Sequence, residues 1–179
     1  IEVVLQSENG MIGMGHLVDG EHNRNFTNAG GHSVSILPYA ACFDSAFSFS
    51  LIRGGHVDCT VLSTLEVDQH GNIANYMIPG KMVPGMGGAM DLVTGSKKVI
   101  VVTTHTDKNG NSKIIKQCKL PLTGVECCDL IVTELAVMEV TPKGLKLLEI
   151  ADNTTVEEVI AKTEASLILA DTIGKFSTN

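Results

Sequence analysis

The chain of 179 residues contains no tryptophan, and only 4% of its residues are aromatic. Proteins that hold single-stranded nucleic acid by stacking need aromatic side chains. Positive charge is also scarce: 13 Lys and Arg stand against 20 Asp and Glu, which gives a formal net charge of −7. Phosphate backbones are bound by clustered cations, whereas these are scattered. The composition therefore argues against a nucleic-acid partner.

Long hydrophobic runs are absent as well. A helix that crosses a bilayer needs about 20 predominantly apolar residues. The apolar runs here have the length of single strands and are interrupted by glycine and polar residues. The sequence predicts no association with a membrane.

The five cysteines show no pairing pattern, and no C-x-x-C spacing occurs among them: Cys42, Cys59, Cys118, Cys127 and Cys128. This usage favours small buried thiols in a reducing compartment, such as the bacterial cytoplasm, or the mitochondrial matrix in a eukaryote. The six histidines are equally dispersed, without a His-Glu-x-x-His motif. We therefore predict no metal site.

What the chain does have is a hydrophobic content of 44%, which is enough for a substantial core. Short helical patterns alternate with strands that are too apolar to have one solvated face. The sequence predicts an α/β fold with a sheet covered on both sides, in one domain over residues 1–179.

Periodicity and turn signals place the individual elements. A buried strand is predicted over residues 1–6, a mobile glycine-rich loop over 7–15 and a solvated loop over 19–28. Helices are predicted from 43 or 44 to 53, ended by Gly54-Gly55, at 89–93, and after a capping-box pattern at 154–157. The predicted strands are 33–37, 57–63, 65–68, 73–76, 98–103, 114–119, 130–133, 136–141 and 145–150, with a hairpin at 69–72 and a turn at 107–111.

Glu8 is the first candidate for chemistry. It follows the apolar run and opens the segment Ser7-Glu8-Asn9-Gly10. Catalytic side chains of α/β proteins are often found where a strand ends, because the strand holds the residue while the loop admits a substrate. By position alone, however, a glutamate at such a site is more often solvated or caps a turn.

A second glycine cluster, residues 79–91, contains Gly85-Met86-Gly87-Gly88-Ala89. It is not a dinucleotide-binding fingerprint, since Met90 stands where the third glycine belongs. It is not a P-loop either, because no Gly-Lys-Ser/Thr follows. Read alone, it is a turn that leads into a helix, and the preceding Asn75 is as readily an ordinary turn-flanking residue.

Several motifs in order make the sequence resemble the β subunit of class I coenzyme A transferases, of the short-chain 3-oxoacid and acetate/butyrate–acetoacetate type. They are Ser7 to Gly10, Asn28-Ala29-Gly30, Ser50 to Asp58, Asn75 to Asp91, Leu120-Pro121-Leu122-Thr123 and Val132 to Val137. The resemblance implies an open three-layer α/β/α domain, here without the N-terminal portion of such subunits. It also implies an α subunit of similar fold, in a heterotetramer or larger assembly.

The same resemblance implies a covalent relay in which Glu8 carries coenzyme A (CoA) as a glutamyl thioester. Backbone amides at Gly88 and Ala89, in the loop that contains Gly85 and Gly87, would stabilise the oxyanions. Asn75 would contact the reacting groups, and Lys81 would meet CoA or a carboxylate unless it is a solvated charge.

The implied substrates are an acyl-CoA and a short-chain acid: a 3-oxo acid such as acetoacetate, or acetate or butyrate. Coenzyme A would be a substrate, with no permanently bound cofactor. Two alternatives remain open at this point. One is an acyl-CoA hydrolase on the same scaffold, in which water replaces the acceptor acid. The other is a non-catalytic assembly subunit.

Overall fold

The structure is a computed structural model that describes residues 2–19, 25–81, 83 and 85–178. The chain divides into two compact units, Ile1–His56 and Val57–Asn179, and each is described by itself. A single domain over the whole chain stays a prediction. Half of the predicted loop at 19–28, residues 20–24, lies outside the described residues, as do Ile1, Met82, Pro84 and Asn179.

The first unit contains an antiparallel sheet of three strands and one helix. The strand order is β1-β2-β3, and the elements are β1 (Gln6–Ser7), β2 (Met11–Leu17), β3 (Val34–Cys42) and α1 (Ser45–Arg53). The side chain of Asp44 caps α1 by accepting a hydrogen bond of 2.8 Å from the amide of Phe47. Gly54 ends the helix and Gly55 follows with a φ of +72°, as the Gly-Gly pair predicted.

Two predictions for the start of the chain are wrong. The predicted buried strand is only two residues long, and Val3, Val4 and Leu5 are 64%, 49% and 45% exposed. Most of the predicted glycine loop is the strand β2. Glycine is required there because β2 lies close to β3: a Cβ on Gly13 would lie 2.8 Å from the Cα of Ala40.

The second unit contains two sheets and two helices. The larger, mixed sheet has the order β12-β11-β10-β9-β7-β4, and the smaller has the order β6-β5-β8. The elements are β4 (Thr60–Leu62), β5 (Glu66–Asp68), β6 (Ile73–Ala74), α2 (Ala89–Gly95), β7 (Val99–Val102), β8 (Ile114–Ile115), β9 (Leu130–Val132), β10 (Ala136–Thr141), β11 (Gly144–Ala151), α3 (Val156–Lys162) and β12 (Leu167–Phe176).

One hydrophobic core joins these elements. Both sheets and both helices contribute side chains that are at most 4% exposed, among them Val67, Ile73, Val93, Ile114, Ile131, Met138, Leu147 and Val159. Full burial of an aliphatic side chain of this size stabilises a fold by about 1.5–3 kcal/mol. The predicted α/β class is confirmed, with parallel and antiparallel pairing in the same sheet.

The C-terminal region contains one confirmed element and one that the sequence reading missed. α3 begins where predicted, with Thr155 accepting a hydrogen bond from the amide of Glu158. β12 was not predicted. It is parallel to β11, and all ten of its residues are only partly buried or exposed, so the alternation of a one-faced strand is missing from its sequence.

The prediction of buried thiols holds for only part of the set. Cys42 and Cys59 are exposed, Cys118 and Cys127 are half-buried, and Cys128 is buried. Burial raises the pKa of Cys127 to about 11 and that of Cys128 to about 12, and it also raises the pKa of Cys118. Among the described residues, no helix is long and apolar enough to span a bilayer.

Candidate active site

Glu8 lies in the tight turn that connects β1 to β2. The amide of Gly10 donates a hydrogen bond of 3.0 Å to the carbonyl of Ser7, which closes the turn around Glu8 and Asn9. Gly10 has a φ of +123°, a conformation that favours glycine. The side chain of Glu8 is partly buried.

A second sequence motif forms hydrogen bonds with this turn. The buried hydroxyl of Ser7 accepts a hydrogen bond of 2.9 Å from the amide of Ala29. The side-chain amide of Asn9 donates one of 2.8 Å to the carbonyl of Thr27. The motifs Ser-Glu-Asn-Gly and Asn-Ala-Gly, which are about 20 residues apart in the sequence, therefore meet around Glu8. The backbone there is hydrogen-bonded, whereas the sequence had predicted a mobile loop.

Asn75 follows β6 and is held by two residues from other segments. The hydroxyl of Thr123 accepts a hydrogen bond of 3.0 Å from the Asn75 amide and donates one of 2.7 Å to Oδ1. Nδ2 of Asn75 donates a bond of 3.2 Å to the carbonyl of Ser63, just after β4. Since a carbonyl can only accept, this contact identifies which end of the carboxamide is the nitrogen.

The segment that supplies Thr123 runs along the β5–β6 hairpin. The carboxylate of Glu66 accepts hydrogen bonds of 2.7 and 2.9 Å from the amides of Lys119 and Leu120. Three residues after Leu120, the amide of Thr123 donates one of 2.7 Å to the carbonyl of Ile73. The backbone that holds Asn75 is therefore itself held at both ends.

The glycine loop leads into α2, as predicted. Gly85 and Gly87 have φ angles of +94° and +54°, and Gly88 is the buried residue before the first turn of the helix. The amide of Ala89 donates a hydrogen bond of 3.2 Å to the carbonyl of Met86. In the described part of the chain, the Gly88 amide has no backbone acceptor.

α2 also lies against the segment that holds Asn75. A Cβ on Gly124 would lie 2.7 Å from Cγ2 of Val93, so the absence of a side chain at Gly124 lets the helix approach. The structure thus links Asn75, Thr123 and α2 in the second unit. Glu8 belongs to the first unit, and its proximity to the glycine loop stays a prediction.

Lys81 lies on an exposed turn after Ile78, and its amide donates a hydrogen bond of 3.0 Å to the Ile78 carbonyl. The second unit also has a cavity of about 590 Å³, which none of the predicted site residues lines. Its charged groups already have partners in the protein: Lys119 pairs with Glu164 at 3.3 Å, and Lys113 donates a bond of 3.0 Å to Thr103. Among the described residues, no cluster of metal-ligating side chains is found.

Comparison with known proteins explains why these motifs occur together. The sequence model of the family "Coenzyme A transferase" matches residues 1–162. The chain belongs to the coenzyme A transferase family. It is accordingly a transferase chain, and the resemblance that its motifs suggested is confirmed.

Two relatives within the coenzyme A transferase family are particularly similar. The acetate CoA-transferase subunit beta of Haemophilus influenzae is 54% identical over 171 residues, which cover 96% of this chain and 77% of that protein. The subunit of the same name from Escherichia coli K12 is 51% identical over 170 residues, 95% of this chain and 78% of that protein. Both relatives are longer than the present chain.

A solved structure shows the same fold. The acyl-CoA transferase YdiF of Escherichia coli O157:H7, as apoenzyme, superposes with a TM-score of 0.76 at 26% identity. The match covers 97% of this chain and 35% of that one, so the present chain spans about a third of YdiF. The fold of a coenzyme A transferase therefore accommodates nearly the whole chain.

Thr123 and Ser63 are the residues of this neighbourhood to which the sequence reading gave no role. Thr123 ends the motif Leu120-Pro121-Leu122-Thr123, so a signal was present in the resemblance. Its contact with Asn75 joins residues 48 positions apart, which no local pattern reveals. Ser63 contributes only its carbonyl, and sequence carries no signal for a backbone acceptor.

Proposed function

We propose that this chain is the catalytic β-type subunit of a coenzyme A transferase in which Glu8 carries the covalent intermediate. The observation that supports this most is the position of Glu8 in a hydrogen-bonded turn built from two motifs of the family. A carboxylate held in this way is presented by a fixed backbone, as a nucleophile requires.

The reaction begins with attack by the ionised carboxylate of Glu8 on the carbonyl carbon of an acyl-CoA. The C–S bond breaks, a mixed anhydride forms, and CoA leaves as a thiolate. The thiolate then attacks the glutamyl carbonyl, releasing the first acid as a carboxylate and leaving a glutamyl-CoA thioester. A second carboxylate reverses both steps and departs as the new acyl-CoA. Thioester energy is conserved, so no ATP is required.

Each attack passes through a tetrahedral oxyanion, which backbone amides can stabilise. Gly88 is the stronger candidate donor because its amide has no backbone acceptor in the described structure. Ala89 would have to exchange its hydrogen bond to Met86 for one to the oxyanion. The positive φ angles of Gly85 and Gly87 let the main chain turn here without side chains that would obstruct a ligand.

The remaining predicted contacts are polar. Asn75 would bind an oxygen of the thioester or of a reacting carboxylate, and the exposed Lys81 would contribute a weaker contact to CoA phosphate or to a carboxylate. Since water would hydrolyse the anhydride and the glutamyl thioester, the assembled site must exclude solvent.

For substrates and partner, the names of the relatives supply the support. Two are acetate CoA-transferase beta subunits, and the proposed acceptors are acetate, butyrate or a 3-oxo acid such as acetoacetate. The word subunit supports an α chain of similar fold, in a heterotetramer or larger assembly. A reducing compartment such as the bacterial cytoplasm would suit the unpaired cysteines.

The test uses the chain assembled with its α-type partner. After incubation with acyl-CoA, borohydride reduces the glutamyl thioester and hydroxylamine captures it, and mass spectrometry locates the modified residue. We expect the modification on Glu8, and we expect Glu8→Gln to abolish transfer while Glu2→Gln, at an exposed position, does not.

An unmodified Glu8, or full turnover by Glu8→Gln, would contradict the proposal. Release of free CoA thiol is measured with and without added carboxylate. Release of CoA thiol at the same rate with and without the carboxylate would instead indicate an acyl-CoA hydrolase on the same scaffold.

A further inference from the structure

We propose that Thr123 is a positioning residue that orients the carboxamide of Asn75 so that Asn75 acts as a hydrogen-bond donor to a reacting oxygen. This inference rests on the proposed function, because Asn75 belongs to the predicted site. Thr123 does not need to touch the substrate. It acts through the two hydrogen bonds that it makes with one residue.

The two bonds form a closed ring between Thr123 and Asn75. The hydroxyl oxygen of Thr123 accepts from the Asn75 backbone amide at 3.0 Å, and the hydroxyl proton goes to Oδ1 at 2.7 Å. Because one bond holds the main chain and the other holds the side chain, the χ angles of Asn75 are restricted. Ser63 adds a third point of attachment at Nδ2.

These contacts determine what Asn75 can offer to a ligand. One lone pair of its Oδ1 accepts from the Thr123 hydroxyl, and one of the two Nδ2 protons is used by the Ser63 carbonyl. The second Nδ2 proton has no acceptor among the residues that the structure describes. The carboxamide therefore presents a donor, and its natural partner is an oxygen of a carboxylate or of a thioester carbonyl.

Thr123 is well placed for this task because it is itself held. Its side chain is 4% exposed, so water does not compete for the hydroxyl. Its amide donates to the carbonyl of Ile73, the residue two positions before Asn75. Thr123 and Asn75 are thus fixed to the same short strand, and a shift of one shifts the other.

The test is a double-mutant cycle in the assembled enzyme, using the variants Thr123→Val, Asn75→Ala and the two together. Valine keeps the shape of threonine but removes both hydrogen bonds, so the carboxamide is free to rotate. We expect kcat for Thr123→Val to fall about tenfold or more. In the Asn75→Ala background, Thr123→Val should cause little further loss, because a positioning residue has nothing left to position.

Thr123→Ser retains the hydroxyl and should keep kcat close to that of the unchanged enzyme. Thr133→Val is the matched control for buried hydroxyl loss: Thr133 is also 4% exposed, and its hydroxyl accepts from the amides of Leu135 and Ala136, between β9 and β10. It should lower the melting temperature without lowering kcat of the folded enzyme.

Three results would overturn the inference: losses that multiply in the double variant, an unchanged kcat in Thr123→Val or Asn75→Ala, or a large loss of kcat in Thr123→Ser. If Thr123→Val fails to fold, Thr123→Ser still decides between the hydroxyl and the methyl group. Full activity of Glu8→Gln would contradict the covalent relay, while the cycle would still measure the coupling of Thr123 to Asn75.

Discussion

Asp68 and Asp107 each begin a five-residue turn of the pattern Asp-x-x-Gly-Asn, and the two turns lie in different environments. In each, one carboxylate oxygen accepts bonds from the amides two and four residues ahead, and the other accepts from the asparagine side chain. Only Asp68 is fully buried, and among the described residues only Asp68 accepts a bond from outside its turn, from the amide of Cys118 at 3.0 Å. The turn at Asp68 is therefore also bonded to a distant segment of the chain, whereas the bonds of Asp107 are local.

Asp68→Asn should destabilise the protein much more than Asp107→Asn. At position 68 the new NH₂ group would face two donors, the side chain of Asn72 and the amide of Cys118, away from water. We expect the free energy of unfolding to fall by at least about 2 kcal/mol. At position 107 the new NH₂ group would face only the side chain of Asn111, which can turn to solvent. Urea unfolding measures both, and equal effects would contradict the role of burial.

The same pair predicts a response to acid. Burial by itself would raise the pKa of Asp68, but the hydrogen bonds from Asn72, Cys118 and His70 outweigh it and lower that pKa. A carboxyl with a lowered pKa stabilises the fold above the unfolded-state pKa of about 4, and this contribution is lost as the pH falls through the folded-state value. The stability of Asp68→Asn should accordingly depend less on pH in this acid range.

His105 predicts a second pH dependence, at higher pH. Its ring is fully buried between the hydroxyls of Thr133 and Thr163, at 2.9 Å from each. Thr163 donates its own proton to the carbonyl of Val159, so Nε2 of His105 is the donor in its bond to Thr163. In a neutral ring Nδ1 then accepts from the hydroxyl of Thr133, which also lies 3.2 Å from the carbonyl of Ala136. Burial lowers the pKa of His105, with Lys162 adding to the effect and Glu134 opposing it.

The direction in which stability changes with pH follows from the difference between the folded-state and unfolded-state pKa of His105. In the unfolded chain His105 binds a proton near pH 6.5, whereas in the folded protein its lowered pKa delays protonation to a lower pH. The contribution of neutral His105 to the free energy of unfolding is therefore complete above about pH 6.5, and it is lost as the pH falls toward the folded-state pKa of this histidine. Urea unfolding between about pH 5 and 8, a window around the unfolded-state pKa of histidine, measures this effect. The free energy of unfolding of His105→Gln should depend less on pH than that of the unchanged protein. The exposed His32→Gln is the control, and an unchanged slope in His105→Gln would contradict the prediction.

Gly10→Ala should disrupt the turn that carries Glu8. Its φ of +123° is unfavourable for alanine, and the added Cβ would overlap the carbonyl oxygen of Phe43. Gly31 is the matched control, since its φ is +78° but no atom lies within 4 Å of an added Cβ. We expect the melting temperature to fall more for Gly10→Ala, and the Glu8 adduct to be lost only in that variant. Equal effects would indicate that backbone conformation alone matters.

Local sequence patterns predicted elements whose signals lie within a few residues. The end of α1 at Gly54-Gly55, the hairpin at 69–72 and the start of α3 are examples. They failed where neighbours in space decide: residues 11–15 read as a loop until β3 is placed beside them, and β12 exists because β11 pairs with it. The candidate site divides in the same way: Glu8 and Asn75 were predicted from motifs, whereas Thr123 belongs to a motif but received a role only from its contacts.

The sequence by itself determined the family of this protein, because several motifs in a fixed order are a specific signal that survives without coordinates. It also determined which carboxylate is the candidate nucleophile. Only the tertiary structure decided how the turn that carries Glu8 is held and which way the carboxamide of Asn75 points. The physical reason is that a hydrogen bond depends on distance and direction in space, and its partners here are separated along the chain by 22 and 48 residues.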